Sequence, residues 1–152
     1  MVAVRVARDM NEDSETRLHE LIGQGGLGTL ATIKRDGRPQ LSNVSYVYDR
    51  DERTILVSVT DGRAKTKNLR RDPRASFHVT GRDGWTYAVA EGTAELSDVT
   101  REPGDAASEE LVEVYRKIAG EHPDWQEYRD AMIAEKRLVL RLRVERVYGM
   151  PG

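Results

Sequence analysis

The chain has 152 residues, 38% of them hydrophobic, with no cysteine and 24 basic against 26 acidic side chains, a formal net charge of -2. That length suits one domain with a substantial core, and the absent cysteines exclude disulfides, thiolate metal sites and a cysteine nucleophile. The even charge argues against a protein that coats nucleic acid, while permitting a local basic site. No uncharged stretch approaches the roughly 18 apolar residues of a membrane span. Met1 to Asp13 carries Arg5 and Arg8 and no apolar run, so it does not read as a signal peptide. A soluble, cytoplasmic single domain over residues 1–152 is expected.

In chain order, Asn11 to Ile22 places Leu18, Leu21 and Ile22 on one helical face, capped by Asp13 or Ser14 and ended by the glycines from Gly23. Thr29 to Lys34 and Pro39 to Tyr48 flank Asp36-Gly37, a strong hairpin signal. Asp49 to Arg53 is a second polar turn before the apolar strand Thr54 to Thr60, so three strands form an antiparallel meander. Arg63 to Arg71 reads as a short basic helix stopped by Pro73. A fourth strand, Ala75 to Thr80, leads through Gly81-Arg-Asp-Gly84 into a long fifth, Trp85 to Leu96, in which Gly92 marks a bulge or close backbone approach.

Ser108 to Ala119 and Asp124 to Glu135 show helical apolar spacing within an excursion spanning about 106–135. Leu138 to Val147 then alternates leucines and valines with Arg137, Arg141, Arg143 and Glu145, a half-exposed closing strand. Six strands with a helical excursion before the last predict a mainly β fold, a small antiparallel barrel with helices outside it.

Gly23-Gln-Gly-Gly-Leu-Gly28 formally contains G-x-G-x-x-G, but a helix precedes it and a strand follows. The dinucleotide fingerprint needs the opposite order, so the stretch reads as a flexible connection. Arg63 to Arg74 is more telling: six bases and one acid in a slightly acidic chain. Cations and the free N–H groups of a starting helix suit phosphate or another polyanion. The alternative is a solvated face offset by the acidic run Asp98 to Glu113. His19, His78 and His122 lack metal-ligand spacing, and G-x-S-x-G is absent. Tyr46, Tyr48, Trp85 and Tyr87 sit at period-2 spacing, where core or interface packing is the default. No general acid, nucleophile or metal set stands out, which points to cofactor-borne chemistry or plain binding.

The order of Leu30-Ala-Thr-Ile-Lys-Arg-Asp-Gly-Arg-Pro-Gln-Leu-Ser-Asn-Val44, Arg63-Ala-Lys-Thr-Lys-Asn-Leu-Arg-Arg-Asp-Pro-Arg-Ala75, Trp85, Ala90-Glu-Gly-Thr-Ala94 and Arg146-Val-Tyr-Gly-Met-Pro151 resembles the split-barrel flavin and deazaflavin oxidoreductases. The likeness runs from about Leu18 to the C-terminus and is strongest to the actinobacterial branch that uses coenzyme F420. Pyridoxamine-phosphate oxidases with FMN are relatives of that branch.

The resemblance implies a six-stranded antiparallel split β-barrel and a homodimer with two cofactor sites at its interface. By position, Arg63, Ala64, Lys65, Lys67 and Asn68 would hold the cofactor phosphate and anionic tail, with Ser58 near the same phosphate. Gln40, Ser42, Asn43 and Val44 would line the tricyclic ring, and Trp85 and Tyr87 would approach from the partner subunit. The FMN-using oxidases resemble R-x-x-L-x-K on the third strand, whereas Arg53-Thr-Ile-Leu-Val-Ser58 here puts Ser58 at the lysine position. Their C-terminal arginine and histidine pattern is missing too. Both departures favour a deazaflavin over vitamin B6 chemistry. The expectation is an F420-dependent reductase acting on a small conjugated acceptor, with an FMN-dependent oxidase or reductase, or a non-catalytic F420, flavin or haem-like ring carrier, as alternatives.

Overall fold

The computed structural model describes residues 2–152, with side chains from residue 11 onward. Its elements are α1 (Val2–Gly23), β1 (Gly26–Ile33), β2 (Pro39–Asp49), β3 (Thr54–Thr60), α2 (Ala64–Arg71), β4 (Arg74–Thr80), β5 (Tyr87–Leu96), α3 (Ala106–Ala119), α4 (Trp125–Ala134) and β6 (Arg137–Met150). The six strands close a barrel in the order β1-β2-β3-β6-β5-β4, every pairing antiparallel. This is the expected six-stranded barrel with flanking helices.

Alternation along the strands decides what is inside. On β3, Ile55, Val57 and Val59 are buried, and Leu138, Leu140 and Leu142 of β6 join them with Leu30, Tyr46 and Phe77. The inward stripe of a strand has a period of two, so one face of each strand supplies this core. Leu18, Leu21 and Ile22 of α1 belong to the same cluster. The Tyr46 hydroxyl donates to the Ile22 carbonyl at 2.5 Å, tying the end of α1 to β2. On the outer face, Leu111, Val112 and Val114 of α3 and Tyr128 and Met132 of α4 form a second cluster with Val139, and Leu56 packs against it. β6 is therefore buried on both faces over Leu138–Leu140, and half-exposed only further along.

Several boundaries differ from the sequence reading. α1 starts earlier because Val2–Ile22 contains neither glycine nor proline to stop it. The glycine run is not wholly a connection: Gly26 and Gly28 pair within β1. A Cβ on Gly28 would lie 2.2 Å from the Phe77 ring, so the strand needs glycine where that ring crosses it. β5 starts at Tyr87 rather than Trp85, because the Asp83 carboxylate takes the N–H groups of Trp85 and Thr86 at 3.0 and 2.8 Å.

Gly92 is both a bulge neighbour and a close approach. The β5–β6 register shifts between Glu91 and Gly92, and a Cβ on Gly92 would sit 1.8 Å from the Arg143 carbonyl oxygen. A backbone atom cannot rotate away as a side chain can. Gly92→Ala is expected to lower stability by about 2–3 kcal/mol, whereas Gly62→Ala, with open space around it, should change it by less than about 0.5 kcal/mol. Urea unfolding of the two variants checks this.

The excursion that carries α3 is fixed at its start by Asp105. Its carboxylate accepts from the N–H groups of Ser108 and Arg101, each at 2.8 Å, and Glu102 at 3.1 Å, and from the Thr100 hydroxyl at 2.9 Å. Burial alone would raise its pKa, but these donors outweigh it and hold the group down to about 2. A depressed carboxylate contributes stability above its unfolded pKa and loses it as pH falls through the folded value. Asp105→Asn should therefore cost about 1 kcal/mol at neutral pH, and the gap to wild type should close near pH 2, as followed by circular dichroism.

Candidate functional site

The barrel is not uniformly laced. β2 and β3 pair only at Val47–Leu56, Tyr48–Ile55 and Asp49–Thr54, and the ladder stops there. In continued register Ser45 would face Ser58, Val44 would face Val59 and Asn43 would face Thr60. Instead these residues line a cleft of about 410 Å³ together with Arg63, Lys65, Ile118 and Arg137. Strand edges that leave their ladder present backbone donors and acceptors to whatever lies between them.

Helix α2 is seated beside this cleft mainly by polar ties. The Thr66 hydroxyl donates to the Thr60 carbonyl at 2.8 Å, and the Arg63 N–H donates to the same oxygen at 3.2 Å. Asn68 is buried; its side-chain amide donates to Thr32 Oγ1 at 3.1 Å and its oxygen accepts from Arg71 at 3.1 Å. Thr32 passes the network on to Gln40 Oε1 at 3.2 Å. Leu69 is the apolar anchor. The cap residue Arg63 is extended and makes no side-chain cap, and no acid lies in the first turn. The positive end of α2 thus faces the cleft with cations around it, the arrangement that favours an anion.

The electrostatics of the cleft have one sign. Arg63, Lys65 and Arg137 line it, and among the described residues no carboxylate does. Burial lowers the Lys65 pKa, and the charges of Arg63 and Arg137 lower it further. Arg137 reaches the cleft from the start of β6, where its Nη1 donates to the Ser58 carbonyl at 3.4 Å. Its Nε is buried and has no hydrogen-bond partner. Buried donors are ordinarily satisfied, so this N–H is an exception among the described residues. A second cavity of about 400 Å³ on the β1–β4 side shares no residue with the cleft. There Glu91 and Glu145 offset Arg74 and Arg146, so it lacks a one-signed field.

Of the residues singled out in the sequence, Asn43, Val44, Ser58, Arg63 and Lys65 meet in the cleft lining. Ala64 and Lys67 are exposed on α2 nearby and do not line it. Asn68 and Gln40 are engaged in the network that holds α2 to the first hairpin. Ser42 Oγ is buried without a partner. Trp85 is 83% exposed in the β4–β5 turn, and the Tyr87 ring stacks on His78 at 5.6 Å. Ser45, Val59, Thr60, Ile118 and Arg137 also line the cleft, with no sequence signal of their own. Arg137 is invisible as a site residue until the β3–β6 register, which sets it opposite Thr60, is known.

Residues 14–151 match the family described as pyridoxamine 5'-phosphate oxidase. The chain belongs to that family. Among solved structures, a conserved hypothetical protein from Mycobacterium tuberculosis is similar at 29% identity, with 90% of this chain and 84% of that chain covered and a TM-score of 0.70. A structure titled F420 reductase is 19% identical over 86% of this chain and 94% of its own, with a TM-score of 0.65. A haem-binding protein from Mycobacterium smegmatis is 23% identical over 90% of this chain and 53% of that one, with a TM-score of 0.66. The same fold is thus shared with a structure titled F420 reductase and with a haem-binding protein. The cleft lining, with three cations, suits an anion.

Three clustered cations should cost stability until an anion arrives. In chloride buffer, Lys65→Gln should be at least as stable as wild type, and sulfate at matched ionic strength should stabilise wild type more than the variant. A lysine pKa held below its ordinary 10.5 is a penalty that is full at neutral pH. That penalty is lost as pH rises from the depressed value toward the unfolded one, so any advantage of the variant should shrink above neutral pH. Urea unfolding in the two salts, at neutral pH and in mild alkali, reads both effects.

Proposed function

We propose that the chain is an F420-dependent reductase that passes a hydride from the reduced deazaflavin to a small conjugated organic acceptor. The observation that carries this reading is the one-signed cleft at the β2–β3 split, with Arg63 and Lys65 beside an uncapped helix start and, among the described residues, no carboxylate in its lining. A deazaflavin bears a phosphodiester and a glutamate tail, so it brings several negative charges where FMN brings one phosphate. Ser58 at the third-strand position, in place of a lysine, fits the same choice.

On this reading Lys65, Arg63 and Ser58 hold the phosphate and Ala64 and Lys67 flank the tail, while Asn68 contributes by seating α2. Gln40, Ser42, Asn43 and Val44 border the ring along β2. The cofactor, when bound, supplies the hydride; the protein supplies position, charge and exclusion of water. The exposed apolar side chains Leu27 (68%), Leu41 (63%), Trp85, Tyr148 and Met150 support a homodimer, since large exposed apolar groups favour association. Trp85 and Tyr87 would then close the ring site of the partner subunit. Among the described residues, no helix is long and apolar enough to cross a membrane. The family name keeps FMN as the second reading.

Fluorescence titration with F420 and, in parallel, with FMN tests the assignment. Saturable binding of F420 near about 1 μM, roughly -8 kcal/mol, with FMN much weaker, is expected. Reduced F420 should then turn over with quinones or activated alkenes. Tighter binding of FMN moves the protein to the flavin reading, and F420 binding without turnover on any acceptor leaves a carrier. Lys65→Ala should lose F420 affinity by at least about tenfold while keeping its fold, as a charge-assisted contact does when removed.

A further inference from the structure

Arg137 stands in an unusual state. Its Nη1 reaches the Ser58 carbonyl at 3.4 Å, a long contact, and its Nη2 reaches Glu135 Oε1 at 3.2 Å. Its Nε has no partner although it is buried. A guanidinium whose best acceptor is a single exposed carboxylate is weakly held. Glu135 lies outside the cleft lining, whereas Arg137 lies within it. The turn between them is also constrained. Lys136 has φ of 54°, the left-handed region that side chains avoid, and is held there by its N–H to the Ile133 carbonyl and by its carbonyl to the Asp61 N–H, at 3.1 and 3.0 Å. Departures of this kind persist where the surroundings fix them. Here they fix the direction in which the next residue leaves the turn.

We infer that Arg137 is an anion ligand of the cleft: held loosely by Glu135 in the free protein, its guanidinium turns away from Glu135 to bring its now-buried Nε–H and its freed Nη2 to a phosphate oxygen. The inference rests on the reading of the β2–β3 cleft as the anionic end of a cofactor site. It adds a residue from the far end of the chain and a competitor that tunes affinity. The cation at this point comes from β6, reaching over Ser58 across the β3–β6 ladder, which pairs Ser58 with Val139 and Thr60 with Arg137. The side-on face of a guanidinium, Nε with one Nη, is suited to two oxygens of one phosphate. A lysine could neutralise the charge there without offering that pair. Glu135 acts only by occupying Nη2, so it is a positioning residue, and its loss should strengthen binding.

The test is titration of the full-length protein with F420 and with inorganic pyrophosphate, for wild type, Arg137→Gln, Arg137→Lys and Glu135→Gln, with unfolding midpoints measured alongside. Arg137→Gln should weaken both ligands by about tenfold or more, and Arg137→Lys should recover only part of this. Glu135→Gln should tighten both by about two- to threefold, a gain that damage to the fold would not give. The Arg137 Nε–H resonance should shift on adding pyrophosphate. Unchanged affinity in Arg137→Gln, or no gain in Glu135→Gln, overturns the inference. If Arg137→Gln fails to fold, Arg137→Lys and Glu135→Gln decide. Pyrophosphate binding that depends on Arg137, in a protein that takes up neither F420 nor FMN, would sink the cofactor reading and leave this one standing. F420 binding indifferent to Arg137 would do the reverse.

Discussion

Three residue pairs of antiparallel ladder between β2 and β3, and then none, are what the rest of the molecule is arranged around. A barrel laced along its full circumference would have used its backbone groups internally and left a smooth outer wall. Here the strands part beyond Val47 and Leu56, yet the barrel still closes, because β3 pairs with β6 over seven residues and β5 with β6 over ten. β6 is the strand that makes the split affordable to the fold. It is buried on both faces at Leu138–Leu140, under the core on one side and the α3–α4 layer on the other.

What fills the parting is then decided by α2 and the two ends that flank it. The helix is short and highly polar, and its own propensity would not hold it. It stays because Thr66 and Arg63 share the Thr60 carbonyl, and because Asn68 is bound into the first hairpin through Thr32. These ties point the positive end of the helix at the split. They also explain a division within the basic run: Asn68, Arg70 and Arg71 make contacts that seat the helix, with Asp61, Ile33 and each other. Arg63 and Lys65 have no carboxylate partner among the described residues. One sequence motif therefore holds two jobs, and only the three-dimensional contacts separate them.

Much of this was legible beforehand where local chemistry decides. Asp36-Gly37 made the hairpin, with Gly37 at φ of 87° and the Arg38 N–H on Asp36 Oδ1 at 3.0 Å. The leucines of the last strand marked the inside of the barrel, and Gly92 marked a backbone crossing. The features that escaped depend on partners distant in the chain. Gly28 belongs in a strand because a ring 49 residues later crosses it. Trp85 lies outside its strand because Asp83 takes the donors first. Arg137 looked like one of several outward arginines on an alternating strand. The burial of its unpartnered Nε and its closeness to Ser58 arise from strand order, which no local pattern encodes.

The distribution of carboxylates gives the final argument for where ligand charge belongs. The run from Asp98 to Glu113 looked from the sequence like a counterweight to the basic helix. In the fold, Glu110 pairs with Arg141, Glu109 with Arg129 and Glu113 with Arg116, all on the α3–α4 layer or the strand beneath it. Glu95 also faces Arg141 and Arg143. Glu109, Glu110, Glu113 and Glu95 are thus committed to arginines outside the cleft, while the cations lining it are left with each other and with one exposed glutamate. Such an arrangement is unfavourable in isolation: like charges repel, and an unpartnered buried donor costs about 1–3 kcal/mol. A chain with 26 acids could have placed one there. Among the described residues none lines the cleft, an arrangement that favours a ligand bringing negative charge of its own, and one carrying more than one such charge would offset more of the repulsion.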